Sequence, residues 1–243
     1  MYRKREDARI KRAGALWRVL HARLGRIVFL SSFIKSLDPD RFVFGRYYSQ
    51  VKKHHLLALF STVRLHQTQS TMDLRQVLEA GSCAAFAIAN PDPSHFVTED
   101  KHGLLNSSQK LTGNIYKWLD QNYPQGSKSL KEMKYNINAS TAHANLVYTG
   151  SNFEVADDAV SSPFFDFEDS HSVKTDLWRI GNIAISLLDL FYGVNQSFGS
   201  IKFLDEFHAK FGALVELSKA LHAELTSTDR HKAAAIKAAK TGG

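Results

Sequence analysis

Apolar residues recur at steps of three and four along most of the chain, which is the spacing of one face of an α-helix. The first case is an N-terminal seam that consists of Ile10, Ala13, Trp17, Leu20, Leu24 and Ile27. So narrow a seam suits packing against another helix. The helix is predicted to run to about Ser36, because Pro39 in "SLDPD" cannot continue it.

The same spacing predicts helices over residues 44–69 and 71–90, and "NPDP" closes the second of them. A short helix ends at Pro124 and Gly126, and a polar segment begins near Ser127. Two long helices complete the body, with apolar faces that run from Leu177 to Phe191 and from Leu204 to Leu225. Helices therefore account for most of the chain.

One segment has an extended pattern. "NFEVADDAVSSPFFDFED" contains two short runs of Phe and Val that flank a turn-rich centre with Pro163. It predicts a small β-hairpin or arm. The segment is also acidic, and its carboxylates are Glu154, Asp157, Asp158, Asp166, Glu168 and Asp169.

These elements predict an all-α protein, a bundle of about six to seven helices with the small acidic hairpin or arm inserted before the last two. We expect a basic amphipathic helix over residues 1–36 and a bundle domain over 37–228. The hairpin insertion lies near 152–169. Residues 229–243 have little to bury and are expected to fray.

The formal net charge of +7 comes from the N-terminal segment. Residues 1–30 contain nine Lys or Arg against Glu6 and Asp7, and the remainder contains 22 basic and 22 acidic residues. The segment is interpreted either as a core or dimer helix with a solvated basic face, or as a patch for nucleic acid or another anion. Arg18, Arg23 and Arg26 are its candidate binding residues, and the other candidates for binding are Asn136, Asn138, Ser140 and Glu79. A mitochondrial presequence is disfavoured by the two early acids.

The cysteine content and the hydropathy indicate a compartment. Cys83 is the single cysteine, which excludes an internal disulfide, and its apolar surroundings favour a small core residue. No apolar run approaches the roughly 20 residues that span a bilayer. The N-terminus also lacks the order of a secretory signal. A cytoplasmic protein without a membrane anchor is expected.

The most polar segment, "YNINASTAHANLVYTG", is rich in Asn, Ser and Thr, whose propensity favours a loop. Its spacing favours a helix over 130–148. One face would carry Tyr135, Ala139, Ala142 and Leu146, and the opposite face Leu130, Met133, Ile137, Ala144 and Tyr148. A helix that is apolar on two opposite sides is expected to be sandwiched between neighbours.

The polar residues of this helix would lie in two seams. One contains Asn136, Ser140 and His143, and the other contains Asn138, Thr141 and Asn145. Unpaired buried amides and hydroxyls cost roughly 1–3 kcal/mol each. The seams are interpreted as a hydrogen-bond network that fixes helix register, or as a cleft around His143, whose imidazole suits acid–base work near neutrality.

Other polar residues are candidates for chemistry. His55 and His66 lie about 16 Å apart along a helix, too far for His54, His55 and His66 to share one metal ion. We predict neither a metal site nor a cofactor. Arg75 and Glu79 are four residues apart and form an intrahelical pair. If buried against Asn136 or His143, that pair would belong to the same polar centre.

Two stretches resemble a known superfamily. "DLRQVLEAGSCAAFAIANP" resembles the Arg-x3-Glu helix of uncharacterised bacterial helical families related to the HEPN superfamily, and "YNINASTAHANL" resembles their later helix. The resemblance implies a dimeric α-bundle and an Arg-x4–6-His motif of metal-independent ribonucleases. His143 matches the histidine, whereas Asn136 or Asn138 occupies the arginine position. Loss of that cation removes phosphate stabilisation.

The leading hypothesis is a non-catalytic homodimer that binds RNA or another anionic ligand. The alternative is a metal-independent ribonuclease with His143 as general acid or base and Arg75 as an electrophilic helper. A third hypothesis is a protein–protein scaffold, in which the acidic hairpin pairs with the basic N-terminal helix across a dimer.

Overall fold

The computed structural model describes residues 30, 32–108, 110–140, 153–156, 159–162, 166, 169–229 and 231–232. In these ranges 75% of the interpretable residues are helical, and there are six helices. The predicted mostly helical fold is therefore confirmed. The predicted N-terminal helix up to residue 29, His143 and most of the C-terminal tail lie outside the described residues.

Six helices form the body of the described protein. They are α1 (Phe42–Val63), α2 (Gln67–Ala89), α3 (Leu111–Asn122), α4 (Pro124–Ser140), α5 (Ser170–Phe198) and α6 (Phe207–Thr226). Short 3-10 turns precede α1 at Pro39–Arg41 and follow α2 at Pro93–His95. The predicted helices over 44–69 and 71–90 correspond to α1 and α2 with shifted ends.

The strands form three separate two-stranded antiparallel sheets. They are β1 (Ile34–Leu37) with β6 (Ile201–Phe203), β2 (Val97–Glu99) with β3 (Leu105–Ser107), and β4 (Glu154–Ala156) with β5 (Ala159–Ser161). The last pair lies within the segment with the extended pattern. Val155 faces Val160 in its register, and both side chains are exposed.

The prediction that the N-terminal helix continues to about Ser36 is wrong for residues 34–36. These residues belong to strand β1, in which Leu37 lies opposite Ile201 of β6. The backbone of Phe33 accepts a hydrogen bond from the amide of Leu204 at 2.9 Å, and Phe33 itself is fully buried. The partner strand is far away in sequence, so local periodicity does not reveal the pairing.

The predicted helix over 44–69 also ends early, because the chain turns at Leu65 with a positive φ of 60°. Distant Asp166 holds this turn. Its amide donates to the Leu65 carbonyl at 2.9 Å, and its carboxylate accepts from the amide of Gln67 at 2.6 Å. Asp166 thereby supplies the acceptor that the first free amide of α2 needs.

Helix α2 is the centre of the bundle, with contacts to α1, α3, α4 and α5. Its small residues permit these close approaches. A Cβ atom added to Gly81 would lie 2.5 Å from Cδ2 of Leu187 on α5, and Leu187 is fully buried. At Gly81 the backbone of α2 therefore packs directly against the Leu187 side chain of α5.

Helix α5 also packs against α1. Between α1 and α5, Nε2 of buried His55 donates to the carbonyl of Ile180 at 3.1 Å, and burial lowers the pKa of His55 to about 4. Helix α5 is long and apolar enough to cross a membrane by length and composition, but half of its most apolar stretch is buried. Core helices of soluble proteins have the same properties.

We predict that Gly81→Ala destabilises the protein. Overpacking of a filled core costs about 1–3 kcal/mol, which exceeds the gain of up to about 1 kcal/mol from better helix propensity. Gly212→Ala in α6 is the matched control, because no atom lies within 4 Å of its added Cβ. That variant should gain stability. Urea unfolding measures both, and equal free energies of unfolding for the two variants would contradict the close α2–α5 contact.

Candidate functional site

A polar cleft opens between α1, α2, α3 and α4 and has a volume of about 290 Å³. Its deeper wall contains the buried side chains of Ala80, Leu111 and Ile115. Its polar lining residues are Tyr47, Gln50, Gln76, Glu79, Ser82, Cys83, Ser107, Thr112, Tyr116 and Lys134. Four helices contribute to this lining, so the cleft depends on the tertiary fold.

Two cations share one carboxylate at this cleft. Oε1 of Glu79 accepts from Nε of Arg75 at 3.1 Å and lies 3.3 Å from Nζ of Lys134 on α4. The three side chains are 33%, 35% and 24% exposed in the order Arg75, Glu79, Lys134. The group has one uncompensated positive charge, and solvent screening keeps each pair weak.

Tyr116 lies beneath the lysines of α4. Nζ of Lys131 is 5.6 Å from its ring centroid and Nζ of Lys134 is 6.0 Å away, which is cation–π range. Burial raises the pKa of the Tyr116 phenol, and the charge of Glu79 adds to the effect. The ring is therefore a neutral aromatic surface beside two ammonium groups.

Tyr47 and Cys83 form a second polar contact in the cleft. Burial raises the pKa of Tyr47 to about 12, and the adjacent thiol contributes. Burial likewise raises the pKa of Cys83 to about 11, although its hydrogen bond with Tyr47 acts in the opposite direction. Both groups are neutral at physiological pH. Cys83 lacks the stabilised thiolate that a nucleophilic cysteine requires.

The structure describes part of the predicted polar helix. Helix α4 covers the prediction up to Ser140, while His143, Thr141 and Asn145 lie outside the described residues. Asn136 is exposed on α4. Oδ1 of Asn138 is buried and has no hydrogen-bond partner among the described residues. Asn138 follows Lys134 by one helical turn, on the same side of α4.

The prediction that α4 is packed on two opposite sides is wrong at Tyr135. Leu130 and Ile137 are buried, as expected for one face, but Tyr135 is 73% exposed. The neighbours α2, α3 and α5 pack against the face that contains the buried residues. Alternation around the helical wheel did not distinguish a buried aromatic residue from an exposed one.

The other predicted site residues are located as follows. Arg75 and Glu79 form their intrahelical pair, and the pair meets α4 through Lys134. Arg18, Arg23 and Arg26 lie outside the described residues.

Sequence reasoning did not identify Lys134, Tyr116, Tyr47 or Cys83 as members of one cleft. The sequence signal for this cleft was weak. It was the four-residue spacing of Lys134 and Asn138, which places both on one side of α4.

Two carboxylates of the acidic segment accept hydrogen bonds from backbone amides at the start of a helix. The carboxylate of buried Asp166 accepts a hydrogen bond from the amide of Gln67. Asp169 accepts from the amides of His171 at 2.8 Å and Ser172 at 2.9 Å, which is an N-cap of α5. These contacts give both carboxylates a structural role within the chain.

Within the described ranges, no three His, Cys, Asp or Glu side chains are grouped to hold a metal ion. No protein-family model, curated protein or solved structure matches the chain. The cleft and its surroundings carry the most concentrated polar chemistry of the described residues. That chemistry consists of neutral phenols, amides and hydroxyls beside one excess cation, an arrangement suited to binding a polar or anionic group.

We predict that the Cys83 thiol of the folded protein reacts slowly with iodoacetamide. A pKa of about 11, against an ordinary 9.0, leaves about 100-fold less thiolate near pH 8. Alkylation followed by mass spectrometry in native buffer and in urea measures the ratio. The Tyr47→Phe variant removes the hydrogen bond that stabilises the thiolate and should slow alkylation further. Equal native and denatured rates would show that the thiol is exposed.

Proposed function

We propose that this protein binds single-stranded RNA or a similar polyanion without catalysing a reaction on it. The observation that carries the proposal is the exposed side of α4, where Lys128, Lys131 and Tyr135 lie at i, i+3 and i+7. These side chains are 78%, 49% and 73% exposed. Cations beside an exposed aromatic ring are the two components of single-strand recognition, since phosphates meet the charges and a base stacks on the ring.

The charge around this face supports the same function. Residues 110–140 contain five lysines against Asp120 and Glu132. Each carboxylate is already near a lysine, with Lys131 at 2.6 Å from Asp120 and Lys128 at 3.9 Å from Glu132. Exposed pairs of this kind are weak and exchange readily with phosphate. The excess positive charge is therefore available to a ligand.

The basic N-terminal segment would add to this surface. Arg18, Arg23 and Arg26 belong to the part of the chain with net charge +7, and clustered cations attract phosphate regardless of sequence. We propose that the protein acts as a homodimer in the cytoplasm, where RNA is accessible. Sedimentation at several protein concentrations tests the dimer.

We predict that Tyr135→Ala weakens binding of a fluorescent single-stranded RNA about tenfold, because one base–aromatic stack is worth about 1–3 kcal/mol. Lys128→Ala and Lys131→Ala should each lower the slope of log affinity against log salt by about 0.7, the value for one phosphate contact on a single strand. Fluorescence anisotropy at several salt concentrations measures both effects.

Lys210→Ala is the matched control for Lys128→Ala, because exposed Lys210 of α6 forms an i,i+4 pair with Glu206, the residue that precedes this helix. It should leave affinity and salt slope unchanged. Substitution of Arg18, Arg23 and Arg26 by Gln tests the N-terminal contribution without removing Leu30 from the core. Unchanged affinity in the Tyr135 and lysine variants would rule out α4 as the RNA surface.

A ribonuclease is the second candidate function. The observation in its favour is that Glu79, one turn after Arg75, pairs with Lys134, so Arg75 lies alongside the helix that precedes His143 in sequence. In that case, pure protein with EDTA should cleave RNA, and both His143→Ala and Arg75→Ala should abolish cleavage. An absence of cleavage at high protein concentration leaves binding as the function.

A further inference from the structure

A histidine–carboxylate pair, His54 and Asp73, lies between α1 and α2, and neither residue lines the cleft, although Gln50 on the cleft wall is one helical turn from His54. Nδ1 of His54 is 2.9 Å from Oδ1 of Asp73, and Asp73 is only 5% exposed. The second oxygen of Asp73 accepts from Nε2 of Gln69 at 3.3 Å. Because a carboxylate only accepts hydrogen bonds, Nδ1 of His54 carries the proton and Nε2 has the free electron pair.

The free nitrogen is open to reaction. The His54 side chain is 24% exposed, and Nε2 is neither buried nor hydrogen-bonded to any described residue. A carboxylate on the other ring nitrogen fixes the tautomer and the orientation of the ring. The arrangement is an oriented nitrogen nucleophile on the surface of a helical bundle.

We propose that Nε2 of His54 is a phosphoryl acceptor, modified by an activated phosphoryl donor of the phosphoramidate or acyl phosphate class. The Nε2 electron pair attacks phosphorus and forms an N–P bond. The bond from phosphorus to the donor's leaving group breaks, and its electron pair departs with that group. With phosphoramidate, ammonia leaves and no atom changes oxidation state. The positive charge that develops on the imidazole lies against the Asp73 carboxylate.

The residues around His54 suit a bound phosphoryl group. Gln50 precedes His54 by one helical turn and is exposed, so its amide lies on the same side of α1. Exposed Lys53 is the adjacent residue. Amide and ammonium groups donate hydrogen bonds to phosphoryl oxygens, so both could stabilise the product.

His55, the next residue, is a histidine whose burial prevents reaction with a donor. His55 is 2% exposed, its Nε2 is bonded to the Ile180 carbonyl, and burial lowers its pKa to about 4. No donor can reach it in the folded protein. His102 in the β2–β3 turn is exposed, and no carboxylate lies within ion-pair distance of its ring among the described residues. These two histidines are controls within the same chain.

The test is incubation of the full-length protein with limiting phosphoramidate, followed by phosphorus NMR and peptide mapping at neutral pH. We expect one added phosphoryl group on Nε2 of His54, formed about tenfold faster than on His102, and none on His55. The Asp73→Asn variant should lose about tenfold of the His54 rate and keep the His102 rate. His54→Gln should remove the rapid phase, with a native circular dichroism spectrum.

Two results would overturn the proposal. One is a His54 rate no greater than that of His102 in the unaltered protein, which needs no variant to fold. Another is a rate in folded Asp73→Asn equal to that of the unaltered protein, because the carboxylate would then have only a structural role. If Asp73→Asn does not fold, the comparison of His54 with His102 still decides.

Discussion

The close approach of α2 to its neighbours is the constraint on which the rest of the structure depends. Leu187 of α5 occupies the space where a side chain at Gly81 would lie, and α2 also contacts α1, α3 and α4. A helix packed on several sides cannot place its polar groups at random. Those that it has must lie in the seams between neighbouring helices or at a bundle surface, since an unpaired buried polar group costs about 1–3 kcal/mol.

Periodicity predicted the helices because the apolar residues of each helix recur at steps of three and four within one continuous segment of the chain. It failed where long-range contacts decide the backbone. Residues 34–37 are extended because they pair with β6, and the α1–α2 break occurs at Leu65, which is neither glycine nor proline. Two of the hydrogen bonds at that break are made with Asp166, about a hundred residues away in sequence. Spacing within a window cannot contain such information.

The candidate site was predictable only within single helices. The i,i+4 spacing of Arg75 and Glu79 identified their pair, whereas the approach of Lys134 depends on how α4 docks against α2. Tyr135 shows the converse error, because an aromatic residue at an apolar position of the wheel is 73% exposed. That exposure makes Tyr135 available to a ligand, so the failed packing prediction supplies the strongest support for a binding surface on α4.

Helix α2 contributes one carboxylate to the contact with His54 and another to the contact with Lys134, and its geometry separates the two. Asp73 faces α1 and meets His54 at 2.9 Å, whereas Glu79, six residues later, faces α4 and meets Lys134 at 3.3 Å. Six residues correspond to about 9 Å along a helix and about 240° around it. The central helix thus brings a different neighbour's cation or imidazole to each carboxylate. A change in one of these contacts can therefore leave the other intact.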